Sequence, residues 1–453
     1  MKQNKKTLCY LRPYNKSQLY SIAKLFRPKD EIKIFCEHPS VDQTGLPGKY
    51  YSYLNNKKKI KNKLFNKTEK REIIARCRLL RNIKKKDALK HLDAMSLAIN
   101  SVIRNEKPNL IFMQTVDNYI SHMMYLISKR KNIKFIGIVT TPINNYFRIT
   151  SLGECNFNKN YNKNLKYKIY KSYLKKNYVP VFNQKSISNP KKYIFLRWIR
   201  NSIKIPFFFI KRLVSGDYYN YHSWSNYIVS LMNFNFFFPI EPGDKKWEEK
   251  INKKKNTIYI PLQMFPEATI DYACENIKYL DYYKNLFLFI KNHYNKFNIV
   301  IKEHPNIMGY RPSGFYKKIK RDNRVNVIPT YVNSNLVLNK IDCVLVWTGT
   351  VGFDALIRGV PVISFCNPYY ASGKRFLKIN QNTNFVKINK HINKYKKTKL
   401  SKKEILKTIE YVAKQLFNGN YKYHVEWSKK NFKDMKDLKV MSQSLKKGIK
   451  YIV

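Results

Sequence analysis

Short apolar runs separated by longer mixed stretches recur twice along this chain, and that rhythm restricts its fold more than any other feature. Residues 7–11, 31–36, 109–114 and 134–140 have the length and apolar content of strands. Between the second and third, residues 69–105 carry Ile73, Ile74, Cys77, Leu80, Ala88, Leu89, Leu92 and Met95 at helical spacing, and residues 118–131 are a further helix candidate. A second series follows at 257–262, 298–302, 325–328, 342–347 and 361–365, with helices over 281–297 and 352–358. Strands alternating with helices build a parallel sheet covered on both faces, so the expected fold class is α/β.

A chain of 453 residues exceeds one ordinary core and suits two. The rhythm divides it into an N-terminal Rossmann-like domain over 1–155 and a second over 251–400. Between them, residues 156–250 lose any clean period and read as a helical, aromatic-basic insertion ending in a linker at Pro239-Ile240-Glu241-Pro242-Gly243. Residues 401–453 read as a basic helical tail. No fixed-period repeat is visible.

Lys and Arg number 88 against 29 Asp and Glu, a formal charge of +59. Such a field attracts anionic partners, among them acidic glycans, phospholipid headgroups and phosphorylated small molecules. The competing explanation is compositional, because an AT-rich genome raises Lys, Asn, Ile and Tyr together. Lysine runs such as 57–59, 84–86 and 253–255 fit solvated loops. No Arg-rich stripe, zinc-finger spacing or helix-turn-helix signature is present, which argues against nucleic acid as a partner.

The seven cysteines are dispersed without a C-x-x-C pair, and an odd, scattered set predicts reduced, buried thiols in a cytoplasmic protein. The N-terminus returns to charge at Arg12 after few apolar residues, so no signal peptide is expected. No apolar span has the length of a transmembrane helix. Residues 193–214 come nearest: their aromatic centre is flanked by Arg197, Arg200, Lys204, Lys211 and Arg212. That pattern suits peripheral contact with an anionic inner-membrane surface, or a buried helix beneath the linker.

The sharpest chemical segment runs from Val344 to Ser364. An apolar strand enters Thr348-Gly349-Thr350-Val351-Gly352, a short helix follows, and Gly359 stands where a helix would stop. Small residues at such a turn let backbone N–H groups approach an anion, and the two Thr hydroxyls add donors. A second run, Ile299-Val-Ile, delivers Lys302, Glu303, His304 and Pro305 to a strand's carboxyl end, with Arg311 beyond; His304 is a phosphate donor there, and Lys302 or Arg311 a neutralising cation. His304 as a simple loop cap is the alternative. A third strand, 258–262, leads to Glu267, which suits either a sugar hydroxyl or the cap of the following helix.

In the first half, Asp117 and Asn118 directly follow a strand, which places Asp117 as a general base or as a helix N-cap. Arg148 and Glu154 follow the next strand and supply another cation and carboxylate.

Taken in order, these residues resemble the capsule polysaccharide biosynthesis family, relatives of bacterial Kdo and sialic acid transferases. The likeness covers 74–78, 117–119, 148–154, 261–269, 302–305 with Arg311, and 348–356. The resemblance implies a GT-B fold, two Rossmann-like domains facing a cleft, with the acceptor on the first and a nucleotide-sugar donor on the second. It implies that His304 and Pro305, then Thr348 and Thr350, contact the donor phosphate, with Lys302, Arg311, Gly349, Gly352 and Glu267 completing the donor site. Asp117, Glu154 and His304 would be catalytic, and Asn118 and Arg148 would meet an oligosaccharide or lipid-linked glycan acceptor. A CMP-linked donor is favoured over UDP, with no metal and no cofactor. The Asp-Asp-Gly or Glu-Asp-Gly base motif of sialyltransferases is missing from this sequence. Two alternatives are a nucleotide-sugar epimerase of the UDP-GlcNAc type, and a non-enzymatic scaffold for polysaccharide assembly or export at the inner membrane.

Overall fold

A computed structural model describes residues 5–56, 63–173, 241–265, 267–304, 311–312, 314–321, 324–396, 400–421 and 435–449, with isolated positions between these ranges. The chain divides into two compact units, Met1–Asn162 with Ala413–Val453, and Lys163–Val412.

The first unit opens with β1 (Lys6–Tyr10), β2 (Glu31–Phe35), β3 (Leu110–Gln114), β4 (Lys134–Thr140) and β5 (Tyr146–Ile149), connected through α1 (Lys16–Phe26), α2 (Leu46–Asn55), α3 (Lys67–Arg76), α4 (Lys85–Glu106) and α5 (Tyr119–Arg130). Every residue of β3 is buried, as expected of a central strand covered on both faces. The helical pattern over 69–105 is interrupted once. Cys77 is extended, at φ −87° and ψ 120°, so α3 stops there and α4 begins afresh after a turn. A capping box opens α3, with Asn66 accepting the Glu69 N–H and Glu69 accepting the Asn66 N–H, both at 2.9 Å.

The second unit begins with α6 (Leu165–Tyr173) and is built on β6 (Thr257–Pro261), β7 (Asn298–Lys302), β8 (Asn326–Ile328), β9 (Cys343–Val346), β10 (Val362–Ser364) and β11 (Phe376–Lys378). Its helices are α7 (Ala268–Asp271), α8 (Tyr282–His293), α9 (Phe315–Lys320), α10 (Ser334–Leu338), α11 (Val351–Ile357), α12 (Phe385–Lys396) and α13 (Lys402–Ala413). All its strands run parallel, in the order β11-β10-β9-β6-β7-β8. Register places Pro261 beside Lys302 and Val346 beside Ser364, which aligns the carboxyl ends of β6, β7, β9 and β10. Gly359 does stop α11: its φ of +84° is left-handed backbone that a glycine adopts without strain.

Two boundaries differ from expectation. The stretch read as a linker is packed into the second unit from Glu241 onward, where that carboxylate accepts from the N–H of Gly243 and from both the N–H and hydroxyl of Thr330. A Cβ on Gly243 would lie 2.3 Å from Pro329, so nothing larger than glycine passes there. The segment read as a tail also separates. After α13 the chain returns to the first unit as β12 (Phe417–Asn418), antiparallel to β5, and α14 (Met435–Ile449). The completed first sheet has the order β12-β5-β4-β3-β1-β2. Leu438, Met441 and Leu445 enter one core with Leu19, Ile22, Ala23 and Phe26 of α1. The apolar face of α14 therefore completes the first core, and its lysines lie on the other face.

The thiol expectation is corrected as well. Cys274 and Cys366 form a disulfide across 92 residues, their Cα atoms 5.3 Å apart. A separation of that size carries no signal in sequence; only the fold brings the two together. Cys9, Cys36, Cys77 and Cys343 are free and buried, and Cys155 is partly exposed.

Candidate functional site

Each sheet reverses its winding direction beside its first strand. In the second unit the chain passes from β6 outward to β7 and β8, then crosses back to β9, β10 and β11. Open α/β sheets take ligands at the carboxyl ends of the strands flanking such a reversal. Here that point lies between β6 and β9, bordered by Gln263, by Lys302 to His304, and by Thr348 to Gly352.

Gln263 joins these segments. Its Oε1 accepts the Thr348 N–H at 3.0 Å, and its Nε2 donates to Thr348 Oγ1 at 2.8 Å. Its own carbonyl accepts from Arg311 at 2.7 Å. Arg311 in turn clamps Glu303 through bonds of 2.7 and 2.8 Å, both side chains being at most 1% exposed. Tyr316 donates to the same carboxylate, and Glu303 accepts the His304 N–H at 2.6 Å. Burial alone would raise the Glu303 carboxyl, yet the Arg311 charge and these hydrogen bonds hold it below the ordinary glutamate range.

Arg311, expected as a donor-site cation, lies in the interior with its Nε and Nη2 held by Glu303 and the Gln263 carbonyl. Lys302 is the neighbouring cation, 8% exposed. Burial pushes its ammonium down to about 8, against the pull of Glu303 and Glu241. His304 is half-buried at the end of β7, its backbone fixed by Glu303. Pro305 lies outside the described residues.

Thr348, Gly349 and Thr350 are half-buried, and Thr350 is the N-cap of α11 without a side-chain capping bond. Gly349 has open space on its Cβ side apart from ordinary contact with Gln263 at 3.7 Å. Gly352 is small for a different reason than ligand approach: a Cβ there would meet the Tyr370 hydroxyl at 2.3 Å. That hydroxyl donates to the Gly349 carbonyl and supports the turn from beneath. Glu267 occupies the N-cap of α7 through its backbone carbonyl, without a side-chain cap.

Asp354 enters without having been anticipated. One turn into α11, its carboxyl is pushed up to about 7 by burial, with Arg358 opposing. Gln263 was also passed over, although it stands inside a strand-loop segment that the sequence marks.

In the first unit the reversal lies between β1 and β3. Arg12, after β1, grips Asp117, after β3, through bonds of 2.7 and 2.8 Å, and Glu37 approaches Arg12 at 3.6 Å. Asp117 thus has the geometry of an ion-pair partner. Helix capping falls to Asn118, whose Oδ1 accepts the Ser121 N–H at 2.7 Å while its amide donates to the Tyr10 hydroxyl at 2.8 Å. Its expected acceptor contact is corrected by that burial. Glu154 gathers the N–H groups of Ser151 and Leu152 and the Thr150 hydroxyl, and its carbonyl accepts from the buried Arg148 at 3.1 Å. Both residues organise the turn after β5.

Residues 240–374 match the family described as capsule polysaccharide biosynthesis protein. That match is confined to the second unit. The matched segment contains Gln263, Lys302, His304 and the Thr348–Gly352 turn, so the whole β6–β9 reversal lies within it. Two curated relatives, the capsule polysaccharide modification proteins LipA of Neisseria meningitidis serogroups A and B, are each 26% identical over 118 residues. That match covers 26% of this chain and 16% of LipA's own length. Among solved structures, KpsC of Thermosulfurimonas dismutans, titled a beta Kdo 2,7 transferase, aligns over 92% of both chains at 14% identity and a TM-score of 0.38. The UDP-GlcNAc 2-epimerase of Methanocaldococcus jannaschii aligns over 89% of this chain and 98% of its own, at 13% identity and a TM-score of 0.28.

Proposed function

We propose that this chain is a glycosyltransferase of capsular or surface polysaccharide assembly, transferring a sugar from a nucleotide donor held by the second unit. The observation that carries this reading is the convergence of Lys302, His304, Thr348 and Thr350 at the carboxyl ends of the strands around one sheet reversal, inside a capsule-family segment. The reaction breaks the bond between the anomeric carbon and the nucleotide phosphate, so charge grows on the leaving phosphate oxygen. A buried ammonium, an imidazole N–H and fixed hydroxyl donors stabilise that charge without requiring a metal. A CMP-linked donor remains favoured over UDP, and the acceptor glycan is assigned to the first unit.

Contact with an anionic inner-membrane surface is part of the proposal. The segment over 193–214 lies largely outside the described residues, but Phe195, Leu196, Ile199, Ile203 and Ile210 within it are exposed apolar side chains. Among the described residues no helix is long and apolar enough to cross a membrane.

Isothermal titration of the purified chain with CMP, UDP, GDP and CDP tests the donor assignment directly. Binding selective for one base, weakened by His304→Ala, supports it. Absence of binding to all four would remove it.

A further inference from the structure

Gln263 is 6% exposed, and every polar group it owns is engaged. Its N–H donates to the Tyr282 hydroxyl at 3.1 Å and its carbonyl accepts from Arg311. Its carboxamide reaches across the sheet reversal to Thr348, its one partner among the described residues. The orientation of that amide is fixed by chemistry. A backbone N–H has only a hydrogen to give, so the amide atom facing the Thr348 N–H is the acceptor Oε1. The remaining atom is Nε2, which carries only donors.

A consequence follows for Thr348. Its Oγ1 receives a hydrogen from Nε2, so its own hydroxyl hydrogen points elsewhere. No described residue accepts that hydrogen, and Thr348 is half-buried, within reach of solvent. Its backbone N–H is meanwhile consumed inside the protein. The backbone of Gln263 is anchored as well, its carbonyl held by Arg311, which is itself paired with Glu303.

We propose that Gln263 is a positioning residue that makes the Thr348 hydroxyl a dedicated outward donor to an anionic oxygen bound between β6 and β9. The inference rests on the donor-site reading and adds the group that sets the donor's direction. A phosphate oxygen, which only accepts, matches a hydroxyl in this state.

Gln263→Glu is the discriminating substitution. A carboxylate accepts both the Thr348 N–H and the Thr348 hydroxyl hydrogen, which turns the hydroxyl inward at nearly unchanged shape. CMP and UDP affinities, measured by isothermal titration, are expected to fall about ten- to hundredfold. The melting temperature should stay within a few degrees of wild type. Thr348→Val is expected to lose a similar factor, and adding Gln263→Glu to it should cost nothing more, whereas simple charge repulsion from the new Glu would add to it. Additive losses, or wild-type affinity in Gln263→Glu, overturn the role of Gln263 while leaving the donor site standing. Wild-type protein that binds neither nucleotide removes the donor reading and this role with it. Should Gln263→Glu fail to fold, Thr348→Ser and Thr348→Val carry the test. The hydroxyl-bearing Ser is expected to keep wild-type affinity and Val to lose it; equal affinities overturn the proposal.

Discussion

Arg12 and Asp117 close the reversal of the first sheet with a buried bidentate ion pair, their side chains each 5% exposed. The equivalent place in the second sheet is spanned by the neutral Gln263–Thr348 contact instead. The difference has an energetic consequence. Two charges withdrawn from water are tolerated only together, so removing one strands the other. Arg12→Ala and Asp117→Asn should each destabilise the protein by about 3–5 kcal/mol in urea denaturation. A change of under about 1 kcal/mol, together with lost turnover, would return Asp117 to the role of base.

Lys302 predicts a pH dependence with a definite sign. The folded chain gives up this proton near pH 8, whereas an unperturbed lysine does so at 10.5. Between those values the unfolded chain holds more protons, so stability contributed by this site rises with pH across that window. Below pH 8 both states are protonated and the burial penalty is fully present. Lys302→Met should therefore stabilise the protein at pH 7, by about 1–3 kcal/mol, and abolish the alkaline rise. Nucleotide affinity should move the opposite way, weaker in the variant at pH 7 and no longer declining above pH 8. Urea denaturation and nucleotide titration across pH 6–10 check both; a variant less stable at pH 7 would contradict the account.

β1 to β4 and β6 to β10, Gly359 as a helix stop and the Thr348–Gly352 turn were legible in sequence because each depends on local pattern: apolar run length, left-handed backbone, small residues after a strand. The short strands β5, β11 and β12 were not. Most of what sequence missed depends on which side chains the fold brings together. Nothing in the spacing of Glu303 and Arg311 announces that they form a buried ion pair. Gln263 carries no local signal because its partner, Thr348, lies in the turn after β9. The 401–453 segment read as a tail because its apolar stripe, Leu438 to Leu445, has meaning only against α1. Asp117 and Asn118 were placed correctly after β3, yet capping belongs to the second of them, which local spacing alone does not decide.

The Cys274–Cys366 bond ties the segment after α7 to the segment after β10. Glu275 adds ion-pair and hydrogen-bond contacts to Lys378 and Asn367 beside it. In the chain-entropy account, closing a loop of 92 residues restricts the unfolded chain. Cys366→Ser should lower stability by about 2–4 kcal/mol in urea denaturation, and dithiothreitol should produce the same loss in wild type but none in the variant. Equal stability of oxidised and reduced wild type would count against the bond.

Gly352 and Tyr370 provide the most local test of the turn itself. A Cβ at position 352 would sit 2.3 Å from the Tyr370 hydroxyl and 2.7 Å from the ring carbon that bears it. Tyr370 is fully buried and bonded to the Gly349 carbonyl, so the ring must move and the turn with it. Gly352→Ala should cost about 1–3 kcal/mol, the usual range for overpacking, and weaken nucleotide binding through the displaced turn. In a Tyr370→Leu background, where the ring and hydroxyl are gone, the same glycine substitution should cost far less, because the two residues share one contact. Additive costs would mean that Gly352 is required for its backbone or for ligand approach, and not for the space that Tyr370 fills.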